Sequence, residues 1–240
     1  DRVRLGSWCT IGTTTGRRII GLLEQASPAA IISATSRNPG MAGGLHPFPM
    51  FEDGDFDIPS VYLTEEEGQR LARHIGEDVL LKFESRRIPS RGCNVIARKG
   101  VAQSPRAVFC AHIDAKKGTP GALDNAAGVA VLLALAETLR DYSGRLGLEI
   151  VALNGEDYYA APGQLQYASS NAGKLGEVLL GLFVMCERPT VAITSEKAMG
   201  LMASIIHTGK DQPELVDCRK LAFIAQGLAS LFLDAENSLP

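Results

Sequence analysis

In the second half of the chain, apolar runs of strand length are separated by stretches with helical periodicity. Residues 107–111 form a continuous apolar run that predicts a strand, and residues 148–153 are predicted as another strand. Between them, residues 125–142 carry apolar side chains at helical spacing, which predicts a long helix with a wide apolar face. A further strand is predicted at 190–194 and a closing helix at 218–233. This order predicts an α/β fold whose mainly parallel sheet is flanked by helices.

The first half of the chain predicts a smaller α+β domain, residues 1–93, followed by a second domain, residues 94–240. A loop rich in proline and glycine covers residues 38–59. Thr64 precedes three glutamates and has the features of a helix N-terminus, with Glu67 at the capping-box position. The other predicted elements are a helix at 16–25 and strands at 29–34, 60–63, 79–83 and 94–98.

Composition places the chain among ordinary globular proteins and argues against two classes of partner. Apolar residues make up 45% of the 240 residues and charged residues 21%, which allows a sizeable core. The net charge of −3 argues against binding to nucleic acid or anionic lipid. No apolar run reaches the length of a membrane span, and no charged-then-apolar leader opens the sequence. We therefore expect no nucleic-acid or membrane partner.

The number and spacing of the cysteines indicate the redox state of the compartment in which the protein is found. There are five of them, they lie far apart, and no Cys-x-x-Cys pair occurs. This usage indicates neither a disulfide framework nor a cysteine zinc site. It is typical of a reducing compartment, so we expect a cytoplasmic location.

Acidic and histidine side chains occur where the predicted strands end. His112 follows the first of these strands, and Asp124 lies twelve residues later, at the start of the long helix. Glu156 and Asp157 follow the second strand, and His207 comes late in the chain. In parallel α/β sheets ligands bind beyond the carboxyl ends of the strands, so these side chains are expected to converge. Histidine and carboxylate ligands with an open coordination position are what a hydrolytic zinc centre requires.

Four sequence motifs carry a resemblance to a known enzyme family. They read Ala-His-Ile-Asp at 111–114, Pro-Gly-Ala-Leu-Asp-Asn-Ala-Ala-Gly at 120–128, Leu-Asn-Gly-Glu-Asp at 153–157 and Ile-His-Thr-Gly-Lys-Asp at 206–211. In order and spacing the chain resembles the zinc-dependent aminopeptidases, which include bacterial leucyl aminopeptidases and, more distantly, glutaminyl cyclases and glutamate carboxypeptidases. The resemblance implies a zinc exopeptidase-like fold and a metal-dependent aminopeptidase that acts on peptides. The stretches 54–64 and 94–100 resemble the protease-associated domain that is often attached to these enzymes.

The same resemblance implies which residues bind metal. His112 would be a ligand of a first zinc ion, and Asp124 would be the carboxylate that bridges two zinc ions. Asp157 and His207 would complete the ligands of the second ion. Two metal ions roughly 3.5–4 Å apart can hold the attacking and leaving oxygens of a hydrolytic reaction.

Two further residues take catalytic roles by resemblance. Glu156 would be the general base that takes a proton from the water bridging the two ions and passes it toward the leaving amine. Asp114 would orient a metal ligand through a hydrogen bond.

The chain departs from the family between the carboxylate pair and the last histidine, which are only 50 residues apart. The family places a further acidic ligand of the first ion in this interval, but residues 179–186 contain no acid. The chain looks as though a block has been removed between Leu182 and Phe183. Glu187 is the nearest acid that could substitute. The expected number of zinc ions is therefore two from the family, or one if the first ion lacks its third ligand.

Other functions remain as alternatives. The missing acid favours a catalytically impaired or inactive relative that serves as a peptide-binding or structural module. Glutaminyl cyclisation is a related amide chemistry, against which the protease-associated-like segment argues mildly. A serine hydrolase is disfavoured, because no Gly-x-Ser-x-Gly elbow occurs in the sequence.

Overall fold

The structure is a computed structural model that describes residues 21–35, 58–84, 86, 88–100, 105–116, 118–157, 161–171, 193, 195–197, 200–201 and 204–239. Its strands are β1 (Ile31–Thr35), β2 (Ser60–Thr64), β3 (Val95–Lys99), β4 (Arg106–His112) and β5 (Gly147–Leu153). Its helices are α1 (Glu65–Leu71), α2 (Ala127–Thr138), α3 (Pro162–Ser170) and α4 (Cys218–Asn237). The predicted strand at 190–194 and the acid-free stretch at 179–186 lie wholly or mainly outside the described residues.

Strands β1 and β2 form a parallel pair, with Ile31 opposite Ser60, and α1 follows directly. The Thr64 hydroxyl accepts a hydrogen bond from the backbone N–H of Glu67 at 3.2 Å, which confirms the predicted helix start. The strand predicted at 79–83 is wrong: this segment has no regular structure. Val79, Leu80 and Phe83 are exposed, with Leu80 at 93%, so the segment lacks the burial that an apolar strand needs.

The second sheet has three strands in the order β3-β5-β4. Strands β4 and β5 are parallel, as expected for strands joined through the crossover helix α2. Strand β3 is antiparallel to β5, so this sheet is mixed and the mainly parallel sheet is not confirmed. The link between β3 and β4 contains only residues 100–105. A parallel connection needs a dozen or more residues, so the chain has to reverse direction here.

One face of this sheet packs against α2 and α4. Leu135 of α2 is fully buried, and Phe232 of α4 is 1% exposed. The ring of Phe232 meets those of Phe109 and Tyr142 edge-on, at centroid distances of 6.3 and 4.9 Å. The closing helix predicted at 218–233 is confirmed and extends to Asn237. None of the described helices is both long and apolar enough to cross a membrane.

The opposite face of the sheet packs against α3 and contains a fully buried carboxylate, Glu149 in the middle of β5. Its Oε2 atom lies 2.6 Å from Nε of Arg98 and 3.2 Å from Nη1 of Arg106. Its Oε1 atom accepts a short hydrogen bond from the hydroxyl of Tyr167. Arg106 also donates to Oδ1 of Asn171 at 3.1 Å, which connects the network to the end of α3. The negative charge of Glu149 is therefore compensated by two arginines, as a buried charge requires.

The Arg106→Met variant should unfold more easily than the wild type, because Glu149 would keep a single cationic partner inside the protein. We expect the free energy of unfolding of Arg106→Met to be about 2–3 kcal/mol lower than that of the wild type, a difference that urea titration can measure. The control is Arg70→Met, which removes the exposed pair that Arg70 makes with Glu67 at 2.8 Å. That pair should contribute less than about 1 kcal/mol. Equal losses in the two variants would contradict a special role for the buried network.

Candidate metal centre

The candidate site lies where β4 and β5 end side by side. His112 is the last residue of β4 and pairs with Leu153, the last residue of β5. One further hydrogen bond, from the N–H of Ile113 to the carbonyl of Leu153 at 2.7 Å, holds the two chains together as they leave the sheet. Because the strands are parallel, the loops that follow them emerge at the same edge. The predicted convergence of His112 with the residues after β5 therefore has a structural basis.

Asp124 lies between two histidines. Its Oδ1 atom is 2.9 Å from Nε2 of His112, and its Oδ2 atom is 3.1 Å from Nε2 of His207. The residue sits in a distorted turn, Ala122–Ala126, that leads into α2, and the helix predicted at 125–142 in fact begins at Ala127. Gly121, just before this turn, has a φ of 65°, a conformation that glycine adopts without steric cost. Each carboxylate oxygen of Asp124 thus faces a different histidine.

Glu156 and Asp157 lie in the turn after β5, and Asp114 fixes that turn. The Asp114 carboxylate accepts the backbone N–H of Glu156 at 3.1 Å and that of Asp157 at 3.0 Å. The carbonyl of Asp114 also lies 3.0 Å from Nδ1 of His112, so this residue contacts both halves of the site. The side chains of the acidic pair diverge. Oε2 of Glu156 is 3.6 Å from Nε2 of His112, whereas Oδ1 of Asp157 is 2.8 Å from Nε2 of His207.

His207 reaches the site from a turn near the C-terminal helix. Its φ of 61° lies in the left-handed region, which costs energy for a residue other than glycine. Its Nε2 atom contacts both Asp124 and Asp157. The side chain of Asp157 is almost fully buried, and its Oδ2 atom has no hydrogen-bond partner among the described residues. A buried carboxylate oxygen without a partner is unfavourable unless a cation or another donor binds it.

The acidic neighbours of the two histidines raise the pKa of both above its ordinary value. Burial lowers the pKa of His112, but its hydrogen bond to Asp124 and the charges of Glu156 and Asp157 outweigh burial and raise the pKa to about 9. Burial also lowers the pKa of His207, and hydrogen bonds to Asp124 and Asp157 again prevail and raise it to about 9. Burial raises the pKa of Asp124, yet its bonds to the two histidines hold it well below the usual range. The cluster therefore attracts positive charge.

Glu156 behaves differently from Asp124. Its side chain is 38% exposed, and it touches one histidine rather than two. Desolvation raises the pKa of Glu156, His112 lowers it, and the acidic neighbours Asp157 and Asp124 raise it again, so that the net shift is upward. A carboxylate that binds a proton more readily than usual and reaches solvent is suited to proton transfer.

The donor set fits a divalent cation. Asp124, Asp157 and His207 offer ligand atoms that all lie within 4.8 Å of one another, and these are the three residues that the resemblance implies for one ion. Carboxylate and imidazole are ligands of zinc, and three protein ligands leave a position open for chemistry. The Oδ2 atom of Asp157, which has no hydrogen-bond partner in the described part of the chain, is an independent sign that this position suits a cation.

A second group of donors, His112, Asp114 and Asp157, also lies within 4.8 Å. Asp114 is the weaker candidate of the three, because both of its carboxylate oxygens already accept backbone N–H bonds. We therefore regard the Asp114 side chain as a support of the site. The metal ligation of His112 stays a prediction from the sequence.

Two buried residues at the site were not among the predicted site residues. Lys116 is 4% exposed and donates a short hydrogen bond to the carbonyl of Asp157. Asp211 is 1% exposed and accepts hydrogen bonds from the turn that contains Asp124. Nothing in the sequence around Lys116 distinguishes it from a surface lysine. Asp211 closes the Ile-His-Thr-Gly-Lys-Asp motif, which was the one available signal.

Comparison with known proteins shows one family match. Residues 94–181 match Peptidase family M28. The M28 match covers less than half of the chain; it includes His112, Asp124, Glu156 and Asp157, and it ends before His207. It also ends one residue before the junction proposed at Leu182 and Phe183, whose position stays a prediction. The chain has no significant match among curated proteins.

Two solved structures share the mixed α/β fold. A Peptidase M28 precursor from Shewanella amazonensis SB2B is 15% identical, with a TM-score of 0.58 over 95% of this chain. An aminopeptidase from Aneurinibacillus sp. strain AM-1 is 17% identical, with a TM-score of 0.55 over 89% of this chain. The chain spans 65% of the length of each of these structures. At such identities the similarity establishes the fold alone.

Removal and return of metal should change the stability of the protein. After dialysis against a chelator, added zinc should raise the melting temperature, because a ligand that binds only the folded state stabilises it. The His207→Ala variant should lose most of this shift, since it removes one of three clustered donors. His74→Ala is the matched control, because His74 is exposed and pairs only with Glu77 among the described residues. An equal zinc response in both variants would contradict the assigned site.

Proposed function

We propose that this protein is a metal-dependent aminopeptidase that hydrolyses N-terminal residues from peptides. Three findings support the proposal: the M28 match over residues 94–181, the fold shared with an M28 peptidase precursor and an aminopeptidase, and the donor cluster at the strand ends. The observation that carries it is the position of Asp124, with one carboxylate oxygen toward His112 and the other toward His207. A carboxylate in this position can serve two adjacent metal sites at once.

Zinc is the ion we propose, from the types of ligand. Asp124, Asp157 and His207 would hold one ion, and His112 together with Asp124 would provide ligands for a second. When bound, such an ion supplies Lewis-acid chemistry, polarising a peptide carbonyl and lowering the pKa of water to about 7. The same histidines bind protons strongly, so uptake of the ion would release protons.

Glu156 is the proposed general base. Its carboxylate lies at the rim of the site, near His112, and keeps 38% of its surface exposed, so that water and substrate can reach it. In the proposed reaction Glu156 accepts a proton from a water molecule as the water oxygen attacks the peptide carbonyl carbon. The carbon–nitrogen bond then breaks, and Glu156 returns the proton to the leaving amine. Asp114 supports this role, because its carboxylate fixes the backbone of Glu156.

The Glu156→Gln variant should lose catalysis and keep metal binding. We expect kcat on a leucyl anilide to fall by about 10²–10⁴-fold, the usual contribution of a general base. Zinc content per chain, measured by elemental analysis after dialysis, should stay at the wild-type value because Glu156 is not among the clustered ligands. Glu137→Gln is the control; Glu137 is exposed on α2 and pairs with Arg140 at 2.9 Å.

The variant tests the assignment of the base, and turnover of the wild type separates the proposed enzyme from its alternative. Turnover that survives in Glu156→Gln would contradict the assignment of the base. A wild-type protein that binds zinc without turnover would favour an inactive relative that binds peptides.

A further inference from the structure

Asp211 binds the backbone of the turn that carries Asp124. Its Oδ1 atom accepts the N–H of Leu123 at 2.7 Å, and its Oδ2 atom accepts the N–H of Asp124 at 3.2 Å. Its backbone carbonyl accepts the N–H of Ala122 at 3.3 Å. Three consecutive amides are therefore bound by one residue, which is only 1% exposed. Hydrogen bonds to an ionised acceptor are stronger than those between neutral groups.

The same short segment also carries His207. Within it, the Thr208 hydroxyl donates to the carbonyl of Ile205 at 2.5 Å and accepts the N–H of Lys210 at 3.1 Å. The N–H of Asp211 in turn donates to the carbonyl of Thr208 at 3.2 Å. The segment is thus a hydrogen-bonded turn with a functional side chain at each end. His207 contacts the carboxylate of Asp124, while Asp211 holds the backbone of the same residue.

We propose that Asp211 is a positioning residue that fixes the Asp124 carboxylate between His112 and His207. The inference rests on the proposed function, because it concerns the placement of a proposed metal ligand. The N–H groups of Leu123 and Asp124 bond different oxygen atoms of Asp211, and an ionised carboxylate supplies both acceptors without presenting a donor. An amide in this position would direct its NH₂ group at one of the two N–H groups.

The turn itself has little room to adjust. A side chain at Gly121 would place its Cβ 3.0 Å from the carbonyl oxygen of Asp124, so the chain passes close to itself here. Asp114 binds Glu156 and Asp157 in the same way that Asp211 binds Leu123 and Asp124. Each of the two turns that carry the acidic site residues is therefore held by a carboxylate that accepts two successive N–H groups.

The first experiment measures amide hydrogen exchange in the full chain after removal of metal, for the wild type and for Asp211→Asn. The amides of Leu123 and Asp124 should exchange about 10–100-fold faster in the variant, as expected when a hydrogen bond to an ionised group is lost. Amides of β5 should keep their protection. Asp217→Asn is the matched control, because Asp217 also accepts two successive backbone N–H groups, those of Arg219 and Lys220, at the start of α4.

The second experiment measures zinc affinity by competition with a chromophoric chelator, at a temperature where circular dichroism shows each variant folded. We expect Asp211→Asn to bind zinc about 10–100-fold more weakly, the typical cost of losing a residue that orients a ligand. The absorption spectrum of bound Co²⁺ should shift as well. Asp217→Asn should leave both readouts unchanged, because the Asp217 carboxylate bonds the backbone of the first turn of α4 and asparagine caps a helix about as well as aspartate.

Wild-type zinc affinity and an unchanged Co²⁺ spectrum in a folded Asp211→Asn would overturn the inference. If that variant does not fold, Asp211→Glu takes its place, since it keeps the charge and moves both oxygens by one methylene group. An unchanged spectrum and unchanged exchange at Leu123 and Asp124 in Asp211→Glu would overturn it equally. Failure of the proposed function looks different: zinc affinity and spectrum would respond to Asp211 as expected, and the wild type would show no turnover.

Discussion

The placement of Asp124 between His112 and His207 is the interaction on which the rest of the site depends. His112 at the end of β4 and Asp124 in the turn before α2 are twelve residues apart, whereas His207 comes from the turn before α4, 83 residues after Asp124. Their contacts form only when the sheet and the two helices have packed together. The core around Phe109, Leu135 and Phe232 is therefore a precondition of the chemistry, although none of these side chains reaches the site.

Carboxylates in the sheet and at its edge occur in two distinct settings. Glu149 is compensated by two arginines, which stay charged at every accessible pH, so its network is permanent. Asp124 and Asp157 are compensated by histidines, which can give up their protons. A cation can take the place of those protons without leaving the carboxylates uncompensated. Arginine partners thus make a structural network, whereas histidine partners make a site that can exchange protons for metal.

The elements predicted well are those whose sequence pattern is dictated by burial. Strands β4 and β5 are largely apolar because both faces of the sheet are covered, and α4 has apolar residues at helical spacing because one side packs on the sheet. The antiparallel direction of β3 and the irregular segment at 79–83 were not predictable in this way, because strand pairing depends on distant residues. Similarly, motifs indicated His112, Asp124, Glu156, Asp157 and His207, but the backbone contacts of Asp211 and Lys116 exist only in the folded chain.

The number of available ligands limits how many metal ions the site can hold. Asp124, Asp157 and His207 make a complete set of three for one ion. A second ion would have His112 and one carboxylate oxygen of Asp124 as ligands. The other nearby acids have different roles. Asp114 is engaged with backbone N–H groups, and Glu156 is the proposed base. Within the described residues the second ion therefore lacks a third ligand of its own. We expect the site formed with His207 to bind more tightly, since affinity follows the number of ligands that are held in place.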